Sequence, residues 1–149
     1  MRRIDVLGSL LLAAGLCAAC QDPLNRQRVY QPAILRRLVT DSINFTAPDT
    51  VGFGANVIMT VTTYGGACDL FAETNAGTVA ADSAHFIPIN VTETSDGACP
   101  DEDLGLIRTI PHADTIQFTH AGPATVTIFG RDATGLEMIR TRKVFVRAP

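Results

Sequence analysis

From Ser42 onward the side chains alternate apolar and polar with period two, and the alternation breaks repeatedly at clusters of Gly, Pro, Asn and Asp. That combination admits few folds. Successive side chains on an extended backbone point to opposite faces, so an alternating segment is a strand with one face buried. Val57, Met59 and Val61 share one face, and Thr60, Thr62 and Tyr64 the other. Ile87, Ile89 and Val91 alternate with Pro88, Asn90 and Thr92, and Ile116 and Phe118 alternate with Thr115, Gln117 and Thr119. Val126 and Ile128 alternate with Thr125 and Thr127. β-Branched residues dominate these segments, as a pleated, half-buried surface favours.

The breaks fall at Ala47-Pro48-Asp49, Gly65-Gly66, Asn75-Ala76-Gly77, Asp96-Gly97, Ala121-Gly122-Pro123 and Asp132-Ala133-Thr134-Gly135, all turn chemistry. The pattern predicts strands near 42–46, 55–64, 69–74, 78–82, 85–92, 105–110, 115–119, 124–131 and 137–147. In the last, Met138, Arg140 and Arg142 share a parity with Val144 and Val146, and a bulge between Arg142 and Val144 is expected to return the apolar residues to the core. Short turns between half-buried strands imply an all-β, antiparallel Greek-key sandwich of about 7–9 strands. That domain is assigned to 42–149.

The chain opens differently. Val6–Ala19 is a fourteen-residue apolar stretch introduced by Arg2-Arg3 and followed by Cys20. A helix needs about 20 apolar residues to cross a bilayer, so this stretch is too short. Basic start, apolar middle and small residues at the end are the parts of an export signal, assigned to residues 1–19. Residues 20–41, with Pro23, Pro32, Arg26, Arg28, Arg36 and Arg37, read as a solvated tether, with a short helix possible after Pro32. Its arginines lie within reach of anionic headgroups.

Without residues 1–19 the chain keeps 130 residues, ten basic and fourteen acidic, for a net charge of −4. Nucleic-acid affinity comes largely from phosphate neutralisation, which a weakly acidic module does not supply.

Leu16-Cys17-Ala18-Ala19-Cys20 resembles a bacterial lipobox, whose cysteine is acylated and becomes the new N-terminus. Cys20 follows Ala18-Ala19 and is the expected acceptor; Cys17, after Leu16, is the alternative. With Cys17 removed and Cys20 acylated, as the resemblance implies, Cys68 and Cys99 remain and read most simply as one disulfide of an exported protein; free thiols or half of a metal site are the alternatives. The resemblance implies an exported protein held in the inner or outer membrane of a bacterial envelope by two or three acyl chains, enough for stable anchoring. Two further stretches are similar to bacterial immunoglobulin-like domains. They are Pro48-Asp49-Thr50-Val51-Gly52-Phe53-Gly54 with Val57, Met59 and Val61, and Ala121-Gly122-Pro123-Ala124-Thr125-Val126-Thr127-Ile128 with Asp132-Ala133-Thr134-Gly135. The likeness implies an immunoglobulin-like architecture over 42–149 and no particular function, since such sandwiches host many. The chain departs from antibody domains in having no tryptophan.

Chemistry is sparse. The connection 93–105 carries Asp96, Asp101, Glu102 and Asp103 beside Cys99. Calcium takes six to eight oxygens, but this spacing matches no established calcium loop, so a solvated acidic loop that contacts a partner is expected, and no metal. Ser42, Ser83 and Ser95 lie in no Gly-x-Ser-x-Gly elbow, and His85, His112 and His120 are scattered. No catalytic residue and no cofactor are assigned. The expected function is a lipid-anchored envelope protein presenting a binding or adhesion module to an envelope protein or a glycan, its membrane contact made through the lipid. A structural subunit assembling through sheet edges is the second reading, and a small hydrolase the third.

Overall fold

The structure, a computed structural model, describes residues 25–38, 40–99, 105–106 and 108–149. The export segment and Cys20 lie outside these residues. Within them the chain forms ten strands and no helix: β1 (Arg26–Pro32), β2 (Ile34–Arg36), β3 (Phe45–Thr46), β4 (Thr50–Gly52), β5 (Asn56–Gly65), β6 (Asp69–Ala80), β7 (Ser83–Ser95), β8 (Arg108–Gln117), β9 (Gly122–Asp132) and β10 (Glu137–Arg147). The all-β, sandwich-like fold expected from the alternation is present.

All ten strands belong to one mixed sheet that folds over on itself without closing. One layer holds β6, β7, β9, β10 and β4, with β1 paired to β7 beyond the stretch of β7 that pairs with β9. The other holds β8, β5 and β3. β2 joins them, Ile34 pairing with Arg131 of β9 and Tyr64 of β5. The core lies between the layers: Val57, Met59 and Val61 from β5, Ile116 from β8 and Phe118 just beyond it, and Phe86, Val126, Ile128, Val144 and Val146 from the facing layer. Burying each such side chain stabilises by about 1.5–3 kcal/mol.

Three pairings are parallel where the sequence pattern predicts only antiparallel ones: β7 with β9, β2 with β9, and β4 with β10. Alternation reports which side chains share a face; it carries no information on strand direction.

The tether assignment is corrected. Residues 26–36 are part of the sheet, with Arg26–Pro32 in register along Ser95–Ile89 of β7. Arg26 and Arg28 stand outward on this strand within 3.5 and 3.4 Å of Glu93. Ala33, Ile34 and Leu35 are buried, and Leu35 sits in the main core. The domain therefore starts by Arg26, not at Ser42, and no helix follows Pro32. Polar residues dominate the segment because both faces of β1 are largely exposed; only the three-residue plug after Pro32 goes inside.

Two predicted breaks are absent. Asn75-Ala76-Gly77 is no turn: it pairs with Ile87-Phe86-His85 inside one continuous strand, with bulges on either side. Likewise 108–117 is a single strand, in which Pro111 is accommodated because, among the described residues, β8 has a ladder on one edge only. A continuous partner strand overrides local turn preference in both places. On β7 the inward face is also the reverse of the expected one. Ala84, Phe86, Pro88 and Asn90 are buried, whereas Ile87 and Ile89 lie half-buried on the outer surface.

Candidate functional site

β10 pairs with β9 without interruption from Glu137↔Arg131 to Val146↔Gly122, so the expected bulge between Arg142 and Val144 does not exist. Parity is kept along the strand. Met138, Arg140, Arg142, Val144 and Val146 all face the side on which Val144 and Val146 enter the core. Two arginines are thereby turned toward the gap between the layers. They fit because the gap is open there: β3 in the opposite layer is only two residues long, and β4 covers β10 only at Phe145–Arg147.

The result is a cleft of about 350 Å³ between the edge strands of the two layers. Ile43, Phe45, Ile128 and Met138 give it an apolar floor, and Arg36, Arg140 and Arg142 with Asp41 give it a charged rim. Arg36 lies 3.6 Å from Asp132, itself a largely buried carboxylate. The hydroxyl and amide of Thr134 and the amide of Leu136 donate to Asp132 Oδ1, holding that carboxyl below its ordinary pKa. Arg142 donates to Asp49 at 2.8 Å. Arg140 Nη1 donates only to the neighbouring Ile139 carbonyl at 2.9 Å, and among the described residues it has no carboxylate partner. Asp41 accepts from the Leu38 amide at 2.9 Å, which ties the 38–41 turn beside the cleft.

Sequence reasoning missed this site. The sequence pattern puts Arg36 in a tether and predicts a bulge that separates Arg140 and Arg142 from the face of Val144 and Val146. The shared parity of Met138, Arg140, Arg142, Val144 and Val146 was the signal that would have found it.

The disulfide is present: Cys68 and Cys99 are bonded, with Cα atoms 5.9 Å apart. Asp69 orders the turn before it, accepting from the Gly66 amide at 2.9 Å and from the Thr92 hydroxyl at 2.5 Å. Of the acidic loop, Asp96 lies in the tight turn after Ser95 with φ of 53°, and Asp101, Glu102 and Asp103 lie outside the described residues. Among the described residues no three His, Cys, Asp or Glu side chains are grouped to hold a metal ion.

The histidines are not brought together. His120 is exposed, and His85 Nε2 lies 3.0 Å from Asn75 Oδ1 on the outer face. His112 is buried between the layers, bonded through Nε2 to Asn90 and through Nδ1 to Thr74, with the Phe71 ring 4.9 Å away. Burial lowers its pKa to about 4, the Glu73 backbone opposing. Both ring nitrogens are used in bridging the layers, which makes His112 a structural group. Ser42 lines the cleft, and among the described residues no histidine does. No family model matches the chain, and no curated protein and no solved structure matches it either.

Proposed function

We propose that this chain is a non-catalytic binding module of a bacterial envelope, anchored through acyl chains on Cys20, with the cleft between β3 and β10 as its contact surface. The observation that carries the reading is Arg140, a guanidinium with no carboxylate partner among the described residues, standing over an apolar floor. A guanidinium fork beside apolar wall recognises a group that is both anionic and hydrophobic, and concave apolar sites with a few polar groups are the usual form of a binding site. The neighbouring Arg142–Asp49 pair is open to exchange, since Asp49 is 87% exposed.

The anchor and the fold together set the geometry of presentation. Five residues separate Cys20 from Arg26, and the six steps between them span at most about 22 Å when extended. A sandwich so attached works close to the bilayer surface rather than at the end of a long tether. Its partner is accordingly an envelope component near the same membrane.

Two measurements in a bacterial host test the reading. Mass spectrometry of the mature N-terminus is expected to find an acylated Cys20, and Cys20→Ala to release the protein from membranes. A photo-crosslinking side chain at Ser42, an exposed residue lining the cleft, is expected to capture an envelope component that the same group at Val79, on the distant β6, does not. Full-length unacylated protein in the cytosol, or identical adducts from both positions, overturns it.

A further inference from the structure

We propose that the open edge of β10, Ile139–Lys143, takes up an acidic extended segment of a partner protein as an added strand, with alternate side chains of that segment entering the arginine cleft. The proposal rests on the cleft reading above and names the class of partner.

The backbone supports it first. Phe145 N donates to Asp49 O at 2.8 Å, so the amide of Phe145 points away from β9. Its opposite residue on β9 is Pro123, which has no amide to pair. In an antiparallel ladder the bonded direction alternates residue by residue, and the β9–β10 register is unbroken. Ile139, Thr141 and Lys143 therefore also direct their N–H and C=O groups outward. β4 stops at Phe145, and among the described residues the three amides donate to no other backbone group. The Ile139 carbonyl is held by the Arg140 guanidinium, a side-chain contact that an incoming amide can replace. Added strands bind through such rows of backbone groups, while pockets for alternate side chains provide selectivity.

Charge then selects the partner. Arg140 and Arg142 lie on the inner side of the edge and Lys143 on the outer. Of the carboxylates nearby, Asp49 pairs with Arg142, Asp132 with Arg36, Asp41 is held by the Leu38 amide, and Glu137 stands at the far end of the strand. Arg140 and Lys143 are left as cations without a carboxylate partner among the described residues. Self-pairing of two copies centred on Thr141 sets Arg140 against Arg142, a like-charge pair that destabilises a sheet. Inward-facing charges and an edge lysine are the devices that keep edge strands from pairing with copies of themselves. Here they exclude the copy and favour an acidic strand.

The test uses the full chain purified in mild detergent and a fluorescein-labelled octapeptide of alternating Glu and Val, read by anisotropy. The peptide is expected to bind, with a Lys–Val counterpart, a Glu–Val peptide N-methylated at alternate residues, and an Arg140→Glu protein each weaker by about tenfold or more. The N-methylated peptide removes the backbone bonds without altering the protein, so it decides the matter even if Arg140→Glu disturbs the fold. No binding of the Glu–Val peptide, equal binding of the Lys–Val peptide, or equal binding of the N-methylated peptide each overturns strand addition. If N-methylation changes nothing but Arg140→Glu still weakens binding, the cleft reading stands and the added strand falls. Loss of the Ser42 crosslink in cells removes the cleft reading itself.

Discussion

His112 Nε2 on β8 donates to Asn90 Oδ1 on β7 at 2.9 Å, a hydrogen bond that crosses the gap between the two layers of the sandwich. With that nitrogen donating, Nδ1 accepts from the Thr74 hydroxyl at 3.2 Å, and the neutral ring is satisfied at both ends. Polar groups buried this deeply stabilise only while every member is paired.

A pH dependence follows. The ring titrates near 6.5 when unfolded and near 4 in the native state, because burial disfavours the charged form. The unfolded chain therefore binds more protons between these values. Stability from this group is complete above pH 6.5 and is lost as pH falls toward 4, by about 3 kcal/mol in all. Urea unfolding from pH 7.5 to 4 is expected to show this loss, and His112→Gln, less stable at neutral pH, to flatten the slope. An unchanged slope in the variant contradicts the assignment.

The joint between β2 and β9 is tight enough to test the start of the domain. A Cβ placed on Gly130 meets Leu35 Cγ at 2.5 Å and the Ala33 carbonyl at 2.8 Å. Gly130→Ala is expected to destabilise by about 1–3 kcal/mol through overpacking. Leu35→Ala is expected to cost about 2–5 kcal/mol as a core truncation. The double variant should lose less than the two together, because the smaller residue 35 relieves the clash. Were 20–41 a solvated tether, Leu35→Ala would change the urea midpoint very little.

Removing the Cys68–Cys99 disulfide, whose ends are 31 positions apart in sequence, is expected to cost about 3–4 kcal/mol by the chain-entropy relation. Cys68→Ser with Cys99→Ser, compared with the parent with and without reductant, measures it. A reductant-sensitive parent midpoint and an insensitive variant are the expected pair of results.

The ion pair between Arg142 and Asp49 is expected to contribute little, about 0–1 kcal/mol, as exposed pairs do. Asp49→Ala should leave the urea midpoint nearly unchanged, while freeing Arg142 to strengthen binding of the Glu–Val octapeptide. A drop of several kcal/mol would show instead that the Asp49 turn holds β4 on β10 through its side chain.

Much of the fold was legible in the order of residues. β5, β9 and β10 lie within two residues of where the alternation puts them, because each carries an uninterrupted apolar face into one core. The turn at Asp132–Gly135 was equally plain: Asp132 accepts from residues 134 and 136, and Gly135 takes a φ of 86° that other residues adopt at a cost. The segments that misled are those where two readings are locally equivalent. On β7 both faces are apolar, Ala84-x-Phe86-x-Pro88 against Ile87-x-Ile89-x-Val91, and alternation cannot say which one is turned inward. At Asn75–Gly77 a turn and a strand are both acceptable to the local chain, and the partner strand decides.

Residue order alone settled that this chain is all-β and where most of its strands run, since these depend on side-chain period and turn chemistry. Tertiary structure alone decided that β1 and β2 complete the sheet, which face of β7 is inside, and that Arg140 and Arg142 line a cleft. Each of those outcomes depends on what lies across the layer. A three-residue plug is buried only when Gly130 leaves room for Leu35, and an inward arginine is tolerated only where the opposite sheet is too short to cover it.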